Sequence, residues 1–90
     1  MTHEFNINVW ITKYALTTGI IEVKARKVDP SMVTYRRKGG MFNEFSHDKD
    51  WHTSKLEALN RFDQMKEKKI KSLQKQIETL KTKLPKIIID

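Results

Sequence analysis

Ser54 to Leu84 reads SKLEALNRFDQMKEKKIKSLQKQIETLKTKL, and neither Gly nor Pro interrupts it before Pro85. Its residues are mostly strong helix formers: Leu, Ala, Glu, Gln, Lys and Met. Ser54-Lys55-Leu56-Glu57 matches a capping box, in which the Ser hydroxyl accepts from a free first-turn amide and the Glu reaches back. The spacing predicts one helix over about 55–83, roughly 43 Å long at ~1.5 Å per residue. Its apolar pattern changes midway. Leu56, Leu59 and Phe62, with Ala58 and Met65 beside them, make a broad stripe suited to packing on a sheet. Further on, Ile70, Leu73, Ile77, Leu80 and Leu84 step by three, four, three and four. That is a heptad seam with Ile at a and Leu at d, a choice that favours two strands when the helices run parallel. About two heptads are visible, so packing of the seam on the chain's own sheet or tail is the alternative. A helix of this length outruns a small sheet, and its far end is expected to project.

The segment before it alternates. Phe5, Ile7, Val9 and Ile11 take every second position, the period of a half-buried strand. Gly19 supplies a turn, and Ile21, Val23 and Ala25 then share one face while Glu22, Lys24 and Arg26 share the other. Asp29-Pro30-Ser31 turns the chain into Met32 to Arg37, with Val33 and Tyr35 inward. Lys38-Gly39-Gly40 turns it again into a short fourth strand, Met41 to Phe45. Ser46 to Thr53 reads as a polar loop, pinned to the core by Trp51. Short strands with tight turns predict a meander that its own twist curls into a half-barrel. The expected architecture is therefore α+β. A curled antiparallel sheet of three to four strands occupies 1–53, and a long amphipathic helix occupies 54–84. Its first half packs on the sheet and its second half projects, ahead of an extended tail over 85–90. Ile87-Ile88-Ile89 in that tail favours an extended edge strand on this sheet or a neighbour's, or else remains free.

The 90 residues contain no cysteine, which removes disulfides and thiolate metal sites. Met1 to Asn6 lacks the basic start and apolar run of a signal peptide, and no apolar run approaches the ~20 residues that span a bilayer. The expectation is a cytoplasmic protein with no membrane contact. Ser31, Ser46, Ser54 and Ser72 have no nucleophile motif around them, and Gly39-Gly40 lacks the Lys-Ser/Thr of a phosphate loop. His47-Asp48-Lys49-Asp50-Trp51-His52 has metal-ligating residue types, but its spacing fits neither a zinc nor a calcium motif. No enzyme, metal or cofactor is expected.

Charge points to binding. Eighteen Lys and Arg against eleven Asp and Glu give +7. Residues 53–90 hold ten of the basic and five of the acidic residues. Such a balance suits nucleic acid, acidic protein surfaces or anionic membranes. The sharpest local cluster is Arg36-Arg37-Lys38 on a hairpin tip, with Lys24 and Arg26 on the preceding strand able to extend it. Lys27 lies beside them. Trp10, Tyr14 and Tyr35 would stack bases if they faced outward.

Lys13-Tyr14-Ala15-Leu16-Thr17-Thr18-Gly19-Ile20-Ile21-Glu22 resembles the opening of small proteins of unassigned function encoded by bacteriophages and prophages. Those chains also carry an aromatic segment like Phe42-Asn43-Glu44-Phe45 and a late helix with a core like Lys69-Ile70-Lys71-Ser72-Leu73. The likeness spans roughly residues 9–84; its first stretch is distinctive and its helix generic. It implies a mobile-element origin and a sheet-plus-helix build, and it transfers no site residue. Accessory proteins of this class act by binding, for example by blocking host defence machinery. Three expectations follow. The chain binds a host or phage protein, for instance as an inhibitor of a defence system. Or it binds nucleic acid through the basic hairpin and helix lysines. Or it is a structural homodimer joined along Ile70, Leu73, Ile77, Leu80 and Leu84.

Overall fold

The alternating residues of the N-terminal half become a ladder. In the computed structural model, which describes residues 5–90, five antiparallel strands form one sheet in the order β4-β3-β2-β1-β5. They are β1 (Ile7–Ile11), β2 (Ile21–Asp29), β3 (Met32–Tyr35), β4 (Glu44–His47) and β5 (Trp51–His52). One helix, α1 (Lys55–Thr82), follows. The reading of Met1 to Glu4 as carrying no leader lies outside the described residues. No helix among the described residues is long and apolar enough to cross a membrane.

Val9 faces Val23 and Ile7 faces Ala25 across β1 and β2, and Ala25 faces Tyr35 across β2 and β3. One sheet face therefore carries the core, made of Val9, Ile11, Ala25, Val33 and Tyr35, all fully buried. Burying each larger apolar side chain contributes about 1.5–3 kcal/mol. Ile7, Ile21, Val23 and Trp51 pack around them. The sheet curls into a half-barrel because β4 and β5, its two edges, are joined directly by a single 3-10 turn, Asp48–Asp50. That turn is held from both sides. The Asp50 carbonyl accepts from the Thr12 amide at 2.9 Å and from the Ser46 hydroxyl at 3.1 Å, and the Asp48 amide donates to the Ser31 carbonyl at 2.7 Å. Thr12, Thr34 and Ser46 are buried, and each hydroxyl has a backbone carbonyl to donate to, as burial requires.

Three sequence expectations need correction here. The sheet has five strands, not three or four. The fourth strand runs over Glu44–His47, and Met41 and Phe42 precede it in the open, 82% and 78% exposed. The polar segment after it is not a loop throughout. The buried Ser46, the 3-10 turn and the two-residue β5 close the curl, and all of them rest on polar groups that a hydrophobic period does not register. Trp51 does anchor this region: it packs on the core while its indole N–H donates to the Ser31 carbonyl at 3.0 Å.

The helix begins where its capping box predicts, and one half of the box forms: the Ser54 hydroxyl accepts from the Glu57 amide at 3.4 Å. Its contact with β1 and β5 is short. Ala58 is buried, and Arg61, Phe62 and Met65 are half-buried. From Lys66 onward every residue is exposed. The stripe read as sheet-facing is thus corrected. Leu56 is 67% exposed, and Leu59, 44% exposed, sits at the margin of the contact beside Trp10 and Ile20, because a small residue, Ala58, is what permits close approach to the sheet. The helix ends at Thr82, so Leu84 lies past it, and Ile87, Ile88 and Ile89 stay exposed without joining a strand. The molecule measures 68 × 35 × 25 Å with a radius of gyration of 19.1 Å. A compact chain of this length would give about 12 Å.

Candidate functional site

The β2 strand is nine residues long and its neighbour β3 only four. Their ladder runs from Asp29↔Met32 to Ala25↔Tyr35 and stops there. Beyond Tyr35 the chain leaves the sheet. Arg37 to Gly40 forms a tight turn in which the Gly40 amide donates to the Arg37 carbonyl at 2.8 Å. Gly39 adopts φ +80°, a left-handed conformation that glycine tolerates without a steric cost. The Arg36 Nε donates to the Asn43 side-chain oxygen at 3.1 Å and braces the two limbs of the loop.

Among the described residues, this divergence leaves Ile21 to Lys24 paired with β1 on one side only. The other side of that stretch faces a cleft of about 590 Å³. Phe5, Ile21 and Val23 supply its apolar lining, and Lys24, Arg36, Arg37 and Lys38 its charge. Among the described residues Glu22 is the one acidic group in the lining, and it is already engaged, accepting from the Trp10 indole at 3.0 Å. Four of the five cations singled out from the sequence therefore meet at one site. The fifth, Arg26, sits two positions along β2 from Lys24, with its guanidinium 5.9 Å from the centre of the Phe5 ring. Its Nε is enclosed and has no hydrogen-bond partner among the described residues. Lys27 is exposed opposite Val33, away from the cleft.

The aromatic residues considered for base stacking do not assemble with these cations. Tyr35 is fully buried. Burial first, and then the Glu44 carboxylate, push its phenol up to about 12. Trp10 is half-buried and lines a small pocket with Ile20, Ala58 and Leu59. Tyr14 lies in the β1–β2 loop, where Lys13 sits 5.5 Å from its ring and its carbonyl accepts from the amides of Thr17, Thr18 and Gly19. The residues the sequence did not disclose are Phe5, Ile21 and Val23. They carry the alternation of core strands; the unequal lengths of β2 and β3 expose Ile21 and Val23, and Phe5, ahead of β1, completes the lining. Met41 and Phe42, expected inside a strand, are instead exposed on the same loop as Arg36 to Lys38.

The His47–His52 segment has a structural role. His52 approaches the Thr12 hydroxyl at 3.3 Å, Asp48 takes a φ of +43° in the 3-10 turn, and among the described residues no group of three His, Asp or Glu is placed to hold a metal. At the opposite end of the β2–β3 hairpin, the Asp29 carboxylate accepts from the Ser31 amide at 2.8 Å and hydroxyl at 2.9 Å. These bonds hold its pKa below the ordinary carboxylate value. The heptad residues of the helix lie together along its exposed length: Ile70, Leu73, Ile77 and Leu80 are 42%, 43%, 50% and 68% exposed. No protein-family model matches the chain, and no curated protein or solved structure shows significant similarity to it.

Proposed function

We propose that this chain is a non-enzymatic binding protein whose basic cleft takes up an extended acidic segment of a partner protein. One observation carries the reading: an unpaired strand edge and four cations open into the same cleft. An unpaired edge presents backbone N–H and C=O groups that a guest strand satisfies by adding to the sheet. Side chains of a strand alternate, so a guest with acidic residues at every second position sets them toward Lys24 and Arg36 to Lys38. The apolar positions between them meet Phe5, Ile21 and Val23. Arginine holds a carboxylate through two parallel N–H donors, which adds direction to the attraction. The phage-protein resemblance makes a host defence protein the class of partner to seek, with the guest segment supplied by that protein.

Nucleic acid is the competing occupant, and one titration separates the two. A labelled peptide of alternating Glu and Val, single-stranded DNA and RNA are each titrated at low and at physiological salt. The peptide is expected to bind. The Arg36→Glu/Arg37→Glu variant is expected to bind it at least about tenfold more weakly, equivalent to about 1.4 kcal/mol. Binding of nucleic acid in preference to the peptide, with the steep salt dependence of phosphate contacts, overturns the reading. So does peptide binding that the double substitution leaves unchanged.

A further inference from the structure

The exposure of Leu56 and Leu59 changes the meaning of the helix. Ile70 to Leu84 steps by three and four, and the same steps run backward from Ile70 through Lys66 and Asp63 to Leu59 and Leu56. The seam is therefore about four heptads long rather than two, with two charged positions in its middle. It does not coincide with the docked face. At 3.6 residues per turn, Ala58, Arg61, Phe62 and Met65 point roughly a third of a turn away from the seam. The sheet holds one side of the helix, reaches the seam at Leu59, which lines a pocket with Trp10 and Ile20, and leaves the rest of the seam exposed. A helix with an apolar stripe gains most of its stability from burying that stripe, and beyond Met65 every residue of this one is exposed.

We propose that the seam is covered by the same seam of a second copy, running antiparallel, with Ile70 of each chain opposite Leu73 of the other. The charged positions fix the orientation. A parallel pair in register would set Asp63 against Asp63 and Lys66 against Lys66 within the interface. The antiparallel register sets Asp63 opposite Leu80, beside Lys81, and sets Lys66 opposite Ile77, where its long stem covers the isoleucine and its ammonium reaches water. Within each helix Lys66 and Asp63 already approach to 3.8 Å, so the two charges enter the interface as a pair. This register also keeps the flanking lysines apart. Lys69 falls near Gln76 and Lys81 near Asn60, with no lysine opposed to a lysine. The proposal stands independently of the cleft, which lies on the sheet.

The absence of cysteine makes the test direct. Asp63→Cys and Leu80→Cys chains are mixed and oxidised, and the disulfide-linked species identified by mass. The expected product is the mixed dimer, in which one Asp63→Cys chain is linked to one Leu80→Cys chain. Leu80→Cys linked chiefly to itself overturns the antiparallel arrangement. Sedimentation of the unmodified protein is expected to give twice the 10.7 kDa of one chain, and a monomer at high concentration overturns the pairing. Leu73→Asp/Ile77→Asp is expected to sediment as a monomer with its sheet intact by tryptophan fluorescence. A persistent dimer in that variant moves the interface off the seam. Should the variant lose helix content, the cysteine mixture still decides, because it leaves Ile70, Leu73 and Ile77 in place.

Discussion

The two halves of this molecule are stabilised in opposite ways. Every residue of the fully buried apolar core belongs to the sheet, apart from Ala58 of the helix. The sheet also satisfies the buried hydroxyls of Thr12, Thr34 and Ser46 internally and closes its curl with a 3-10 turn. The helix is continuous over 28 residues yet touches the sheet only along its first three turns. One half is complete within a single chain, and the other presents more apolar surface than that chain can cover. A small domain can thus spend its limited core on a rigid platform and leave an extended element for assembly.

The contrast is broken most strongly from the sheet side. Ile11→Ala removes a fully buried side chain beside Trp51 and is expected to cost about 2–5 kcal/mol in denaturant unfolding, a large share of the stability of a 90-residue domain. An Ile11→Ala protein as stable as the parent would mean that the curl is held elsewhere. At the junction, Ala58→Glu places a charged, larger side chain where none fits. It is expected to cost about 1–3 kcal/mol. It is also expected to change the fluorescence of Trp10, which lines a pocket with Ala58, more than that of Trp51. Equal changes at both would show that the sheet itself had opened.

The smallest effects are those of pH, and both belong to the sheet. Tyr35 binds its proton more tightly when folded, so its contribution is fully present below the ordinary phenol value near 10 and is lost as pH rises through about 12. Tyr35→Phe is expected to flatten this alkaline loss, measured as melting temperature between pH 9 and 12. Because the Tyr35 hydroxyl has no hydrogen-bond partner among the described residues, that variant is expected to be no less stable at neutral pH. On the acid side, Asp29 has a depressed value when folded. Its contribution is present above the ordinary carboxylate value near 4 and is lost as pH falls through the lower folded one. Exposure of this group keeps the acid effect minor. A wholly flat profile would show that the Asp29 turn forms equally in the unfolded chain.

How far all this is legible in the sequence depends on which force shapes each part. Strands β1 to β3 are legible because burial on one face imposes a period of two, and the start of the helix because Ser54 and Glu57 have few other reasons to be spaced as they are. Strand β5 is not, because two residues are too few to show a period. Leu56 and Leu59 mislead because a sheet-facing stripe and a heptad both accept leucine there; only the proximity of Ala58 to the sheet distinguishes them. The cations of the cleft are evident as a cluster. Its apolar lining is hidden, since Ile21 and Val23 look like any core pair until β3 proves too short to cover them.

That shortfall in β3 has a second consequence. A bare strand edge next to apolar side chains is the kind of surface through which sheets stack on one another into insoluble aggregates. Here any identical edge that approaches brings its own Lys24, Arg36, Arg37 and Lys38, and like charge pushes it off. The same four side chains that would invite an acidic guest thus act as gatekeepers, so the opening can stay available without condemning the protein to precipitate.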